Sequence, residues 1–430
     1  MNNLVVLGII GIVLLMVLVF YKLWVGAVML AIGFFGYAYI TSFSKALIMA
    51  STEAYSQISN YSFAVVVLFT FMGCVLSGTG MADDLFKTAD AWLGRIRGGI
   101  SIATLAACGV FAAVCGSSTA SALTMSKAAF PEMRKLRYDE RLSAATIAAG
   151  GTIGILIPPS IGFIMYGLIT ETSIAKLFMA GLLPGITQVL FYMITVMIIL
   201  KIHPDWAPRN DRVIPFKEKV HSLKGTWTLI VLIIVIMGGL YSGIFTATEA
   251  GAVGAVTSVL LAMFSKKLTK KNFLAVSIDA LKTTGMVVLM LTGAYVFTRF
   301  LTITRLPDNL SEAAQGIASN KLLLILAICV LYLILGTFLD IFAIIILSIP
   351  ILYPTIVAAG LNPIWFGVLM VRLMEVGQIS PPYGVNLFVT SSATGVPLKK
   401  MYQGSVPFLI ADVIHISLLI AFPQIALCLT

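Results

Sequence analysis

The chain has 430 residues, of which 59% are hydrophobic and 11% charged, with a formal net charge of +10 and a mean hydropathy of +1.03. A soluble domain carries roughly 25% charged residues, so this composition excludes a soluble enzyme and makes lipid the main solvent. The basic surplus does not point to nucleic acid, because the lysines and arginines cluster in short loops between apolar runs, as membrane topology requires.

Leu4–Phe20 is the first apolar run long enough to span a bilayer. It has no basic stretch before it and no small-residue cleavage site, so it reads as a retained span. Trp24–Ile40 is the second span. Thr41–Asn60 mixes polar and apolar residues and reads as an interfacial amphipathic helix. Tyr61–Ser77 spans again. Gly99–Lys127 is apolar but broken at Cys115-Gly116-Ser117-Ser118-Thr119, and Leu142–Thr170 is broken at Gly150-Gly151-Thr152 and Pro158-Pro159. Leu177–Leu200, Trp227–Gly243 and Glu249–Phe264 are spans, the last preceded by a helix-capping Thr246-Ala247-Thr248. Lys267–Lys282 reads as a second interfacial helix and Thr283–Phe300 as a span. Leu322–Ser348 breaks at Gly336-Thr337, and Pro363–Thr394 breaks at Gly377-Gln378 and Pro381-Pro382. Ser405–Leu427 is the final span. The five cysteines are scattered through apolar sequence without a CxxC pair and read as small core residues.

The four broken segments are paired. Gly116 to Pro131 covers 15 residues against 14 from Gly336 to Pro350, and Gly116 to Pro158 covers 42 against 45 from Gly336 to Pro381. Met81–Leu85 aligns with Leu306–Leu310, at an offset of 225 against 220 at the glycines. Weak halves with interrupted helices in matching places mark the site of a secondary transporter. Five basic residues (Lys127, Arg134, Lys135, Arg137, Arg141) follow the first break, and none lies in Pro350–Ile364 after the second. The positive-inside rule therefore inverts the halves. The six Lys/Arg of Lys201–Thr226, the Lys266–Lys271 cluster and Lys399-Lys400 fall inside on the same map, which puts both termini outside. The fold expected is an all-α polytopic membrane protein with inverted repeats, two re-entrant hairpins (99–127 and 322–348) and two broken helices (142–170 and 363–394). The divisions are 1–60, 61–200, 201–282 and 283–430. About 27 residues are too few for two spans and a turn, which favours re-entrance.

Glycine, serine and threonine at a hairpin tip supply carbonyl and hydroxyl oxygens without charge, which suits a dehydrated Na+. Gly116-Ser117-Ser118 facing Gly150-Gly151-Thr152 would make one cation site, and Gly336-Thr337 with Gly377-Gln378 the other. Packing of helices through small residues is the plainer use of the same residues. Asp340 lies within an apolar run, and an intramembrane carboxylate defaults to function. Arg372 and Glu375 are one turn apart and pair, while Arg299 near a span end reaches toward the interface. No HExxH motif, Walker A loop or Gly-x-Ser-x-Gly elbow is present, so energy comes from an ion gradient or a separate ATPase.

With Gly116-Ser117-Ser118, the run Gly150–Ser160, the run Lys176–Gly181, the run Gly243–Ala250 and Ile379–Gly384, the chain resembles the large membrane subunit (M, or DctM type) of tripartite ATP-independent periplasmic (TRAP) transporters over nearly all its length. Ala247 departs from the family's usual proline at that position. The resemblance implies a Na+-coupled elevator importer in a bacterial inner membrane, with scaffold and transport domains and periplasmic termini. It implies a separate small four-helix membrane subunit, a periplasmic substrate-binding protein, and an organic acid such as a C4-dicarboxylate or sialic acid as solute. Family Na+ sites fall by motif on Gly116, Ser117, Ser118, Gly151 and Thr152, and on Gly336, Thr337, Gly377 and Gln378. Substrate contacts are expected from Ser118, Thr119, Asp340, Pro159, Pro381 and Asn386, with Asp340 meeting hydroxyls or an ion. The competing readings are a stand-alone Na+-coupled dicarboxylate or citrate elevator carrier and, remotely, an intramembrane hydrolase. The latter needs a Ser–His, paired-Asp or metal constellation.

Overall fold

The computed structural model describes residues 3–21, 23–208, 214–306, 309, 321–339 and 341–430, and among them no strand occurs. The helices in chain order are α1 (Asn3–Phe20), α2 (Val25–Ile40), α3 (Phe43–Ser59), α4 (Ala64–Gly78), α5 (Met81–Leu93), α6 (Gly99–Cys115), α7 (Ser118–Lys135), α8 (Glu140–Thr152), α9 (Ile161–Thr170) and α10 (Ile174–Ile202). They continue with α11 (Phe216–Tyr241), α12 (Ala247–Phe264), α13 (Lys270–Ile303), α14 (Lys321–Phe338), α15 (Ile341–Ala358), α16 (Pro363–Gln378), α17 (Val385–Thr394), α18 (Leu398–Ala421) and α19 (Gln424–Leu427). Seven helices among the described residues are long and apolar enough to cross a membrane. Helices dominate because lipid offers no partner for an unpaired backbone group.

Capping follows the sequence. Thr246 and Glu249 form a capping box, with the Glu249 N–H donating to Thr246 Oγ1 at 3.3 Å and the Thr246 N–H donating to Glu249 Oε2 at 2.8 Å. Small residues bring helices together where no hydrophobic driving force exists. A Cβ on Gly33 of α2 would lie 2.7 Å from Phe297 Cα of α13, and one on Gly293 of α13 would lie 2.2 Å from the Gly26 carbonyl oxygen. Helices α2 and α13 thus meet backbone to backbone.

Several sequence expectations are corrected. Gly150 and Gly151 are helical, and α8 runs unbroken to Thr152; the break lies at residues 153–160, and the Pro158-Pro159 bond is cis. Gly336 and Thr337 lie inside α14, and the interruption follows at Leu339. Gly377 and Gln378 close α16, with the break at 379–384. A glycine that packs closely against a neighbouring helix does not end its own. The second hairpin arms are longer than expected, reaching Lys135 and Ala358, so the first pair of arms spans 99–135 and not 99–127. Lys267–Lys282 is not a separate interfacial helix: α13 continues through it for 34 residues, about 51 Å at 1.5 Å per residue. The last span begins at Leu398 and ends at Ala421, before Pro423. Arg299 does not simply reach for the interface, because its Nε donates to Glu53 Oε1 of α3 at 2.6 Å.

The two halves cross over. The distal half of the first broken helix, α9, packs on α15, the second arm of the second hairpin. The distal half of the second, α17, packs on α7, the second arm of the first hairpin, where Asn386 Nδ2 donates to the Ala148 carbonyl of the adjoining α8 at 3.4 Å.

Candidate functional site

The tip between α6 and α7 is built by two residues. Gly116 has φ +63°, which favours glycine, and a Cβ there would sit 3.1 Å from the Pro159 carbonyl oxygen. Ser117 caps α7, its Oγ accepting from the Ala120 N–H at 3.4 Å and lying 3.4 Å from Thr119 Oγ1. The tip faces the break in the first broken helix, as expected, but through different residues. A Cβ on Gly154 would lie 2.9 Å from the Ser117 carbonyl oxygen, whereas Gly150 packs on Cys108 and Gly151 on Ala122. Thr152 turns toward α10: its hydroxyl donates to the Ala149 carbonyl at 2.7 Å and lies 3.4 Å from the Tyr192 hydroxyl. Gly150 and Gly151 are packing residues here, and Gly154, three residues beyond Gly151, makes the close approach.

At the second break, Gly336 and Gly377 meet backbone to backbone, and a Cβ on Gly377 would lie 2.4 Å from Gly336 Cα. Thr337 Oγ1 donates to the Ile334 carbonyl at 2.7 Å. Gln378 and Asn386 are buried, and Gln378 Oε1 and Asn386 Oδ1 have no hydrogen-bond partner among the described residues. Pro381 is exposed, and its bond to Pro382 is cis. Asp340 lies outside the described residues.

A cavity of about 630 Å³ gathers part of this set. Gly116, Ser117, Ser118, Thr119 and Gln378 line it, together with Ile341 and Phe342 at the start of α15. Gly151, Thr152, Gly336, Thr337, Gly377, Pro159, Pro381 and Asn386 are not among its lining residues. Two of the remaining walls are single helix faces that the sequence reading missed. Thr70, Gly73, Cys74 and Ser77 recur at helical spacing on α4, and Asn272, Val276, Asp279 and Thr283 do so on α13. Polar residues at this period inside an otherwise apolar α4 were the available signal. Among the described residues, no group of three or more His, Cys, Asp or Glu side chains is placed to hold a metal ion. The oxygens on offer are carbonyls and hydroxyls at the tip, the amides of Asn272 and Gln378, and the Asp279 carboxylate. The neutral hard ligands of the tip suit a monovalent cation and do not suit zinc.

A second polar cluster is fully buried between α10, α16 and α18. The Arg372 guanidinium donates through Nη1 to Glu375 Oε2 at 3.0 Å, through Nη2 to Asp412 Oδ1, and through Nε to His415 Nδ1 at 3.2 Å. Gln188 Nε2 adds a bond to Asp412 Oδ1 at 2.8 Å. Because His415 Nδ1 accepts, its Nε2 carries the hydrogen and donates to Thr187 Oγ1 at 2.9 Å, and the imidazole is neutral. The expected Arg372–Glu375 pair is present. Asp412 was the missed intramembrane carboxylate, 40 residues away in sequence.

The family model for the tripartite ATP-independent periplasmic transporter, DctM component, matches residues 12–425. The C4-dicarboxylate TRAP transporter large permease protein DctM of Pseudomonas aeruginosa is 34% identical over 371 residues, 86% of each chain. The sialic acid TRAP transporter large permease protein SiaM of Vibrio cholerae is 30% identical over 388 residues, 90% of each chain. The crystal structure of the Alcanivorax borkumensis YdaH transporter is similar with a TM-score of 0.63 and 15% identity, covering 89% of this chain and 90% of that one. At that identity the likeness is one of fold.

Proposed function

The chain belongs to the DctM component family of tripartite ATP-independent periplasmic transporters, and from that premise we propose that it is the large membrane subunit of a Na+-coupled importer of a small organic acid. It is a membrane-embedded transporter, one component of a secondary transport system. Its partners are a small membrane subunit and a periplasmic binding protein that delivers the solute.

One observation carries the reading at this chain's own residues. The tip Gly116-Ser117-Ser118, the start of α15 and Gln378 of α16 line a single cavity. The solute lies there, against Ser118 and Thr119. Na+ binds behind it, at the Gly116–Ser118 tip facing Gly154 in one half and near Gln378 in the other. Neutral oxygens at the tip, and Gln378 Oε1 without a partner among the described residues, support that assignment.

The motion is of elevator type. Helices α6–α9 and α14–α17 form the moving part, supported by the reciprocal packing of α9 on α15 and α17 on α7. The pair α2–α13, locked by Gly26, Gly33 and Gly293, belongs to the scaffold with α11 and α12. Both ends of the first hairpin are basic, with Arg95 and Arg97 before α6 and Arg134 and Lys135 at the end of α7, which favours a re-entrant hairpin opening inward. Lys127 and Asn272, near those inner basic loops, line the cavity, which supports an inward-facing state.

Reconstitution of the chain, the small subunit and the binding protein in liposomes, omitting each in turn, tests the assembly. Uptake of a labelled organic acid is expected only with all three. Uptake by this chain alone would replace the tripartite reading with a stand-alone carrier.

A further inference from the structure

Among the described residues, the cavity wall carries one basic side chain, Lys127 of α7, and one acidic side chain, Asp279 of α13. Neither belongs to an ion pair among the described residues. Lys127 lies nine residues beyond Ser118, about 13.5 Å further along α7, on the face that carries Ala120, Leu123 and Thr124 into the same space. Asp279 lies on the cavity face of α13 between Val276 and Thr283. The rest of the described wall is apolar or neutral, and Lys127 and Asp279 are both exposed to the cavity.

We propose that the cavity, in its inward-facing state, favours a zwitterionic organic acid, with Lys127 of the moving part receiving its carboxylate or sulfonate and Asp279 of the scaffold its ammonium group. The inference rests on the transport reading above and narrows its substrate class. A dianion would satisfy Lys127 with one end and bring its second negative charge toward Asp279, where like charges oppose binding. A solute with one acidic and one ammonium group offers each wall residue an opposite charge. Lys127 and Asp279 are outside the set assigned to Na+, so substituting them separates solute choice from ion coupling.

The test uses the purified full chain in lipid nanodiscs with Na+ and reads thermal stabilisation by two matched pairs, taurine with isethionate and aspartate with succinate. In each pair the first carries an ammonium group that the second lacks. In the unsubstituted chain the ammonium-bearing member should half-saturate at a concentration about tenfold lower, the worth of one charge-assisted bond. Lys127→Gln should weaken both members of a pair, and Lys127→Arg should restore them. Asp279→Asn should bring the ratio within a pair to about one by weakening only the ammonium-bearing member, while Asp279→Glu should keep the preference. A preference that survives in Asp279→Asn, or tighter binding of isethionate and succinate by the unsubstituted chain, would overturn the proposal. So would the absence of any shift with all four probes. Na+-driven uptake of another acid by the reconstituted assembly would in that event leave the transport reading standing.

Discussion

The backbone of Gly377 rests on that of Gly336, so close that a Cβ on residue 377 would lie 2.3 Å from the Gly336 carbonyl carbon. No rotamer relieves such a clash, because both partners are main chain, and helices α14 and α16 would have to part. Gly377→Ala should therefore destabilise the protein by about 1–3 kcal/mol, the usual penalty of overpacking. Gly238→Ala is the control, because a Cβ there meets nothing within 4 Å and the residue sits in α11. It should be neutral or slightly stabilising. Thermal unfolding in detergent distinguishes the two.

Arg372 joins α16 to α18 by bonding Glu375, Asp412 and His415 in a site without solvent. Arg372→Met strands two buried carboxylates and should cost about 3–5 kcal/mol. Arg372→Lys keeps the charge but loses the planar fork, and should fall between the two. Chemical denaturation of the three proteins should give that order; equal stability of Arg372→Met and the parent would show that the cluster holds nothing together.

Ser117 has two tasks, capping α7 and supplying oxygen at the proposed ion site. Ser117→Ala should cost about 1 kcal/mol of stability for the lost cap. It should also raise the Na+ concentration at half-maximal uptake. Ser160→Ala, which removes the equivalent cap of α9, is the comparison. It should lower stability similarly while leaving the Na+ dependence less affected.

Asp139 lies in the loop before α8, where its carboxylate accepts from the Arg141 side chain at 3.0 and 2.9 Å and from the Arg141 N–H at 2.8 Å. Burial pushes its carboxyl up, but the bonds and charge of Arg141 outweigh burial and hold it below the ordinary carboxylate range. A folded-state value below the unfolded one gives stability that is fully present above the unfolded pKa, about 3.9, and is lost as pH falls through the folded value. The stability difference between the parent and Asp139→Asn should thus be constant at neutral pH and shrink only in strong acid. A difference that disappears already near neutral pH would contradict the pairing.

Spans and caps were legible because they are local: apolar run lengths marked the helices, and Thr246-Ala247-Thr248 marked the cap that Glu249 completes as a capping box. Glycines misled. In water Gly150-Gly151 would weaken a helix, but here they let α8 press against Cys108 and Ala122, and the helix continues. The mix of polar and apolar residues in Lys267–Lys282 suggested an interfacial helix, whereas from Lys270 onward α13 carries them on one continuous rod. The cavity wall was only half legible. The tip Gly116–Thr119 was visible as a motif, but Lys127 and Asp279 meet the same space only once α7 and α13 are placed. The Arg372 cluster was hidden for the same reason, since Gln188 and Asp412 are 224 residues apart.

Uptake of a labelled organic acid by the reconstituted assembly, driven by an inward Na+ gradient and compared with an equal K+ gradient, tests the central claim most directly. The account predicts accumulation with Na+ alone, and a loss of Na+ affinity in Ser117→Ala. Equal accumulation with K+, or with no cation gradient, would contradict it.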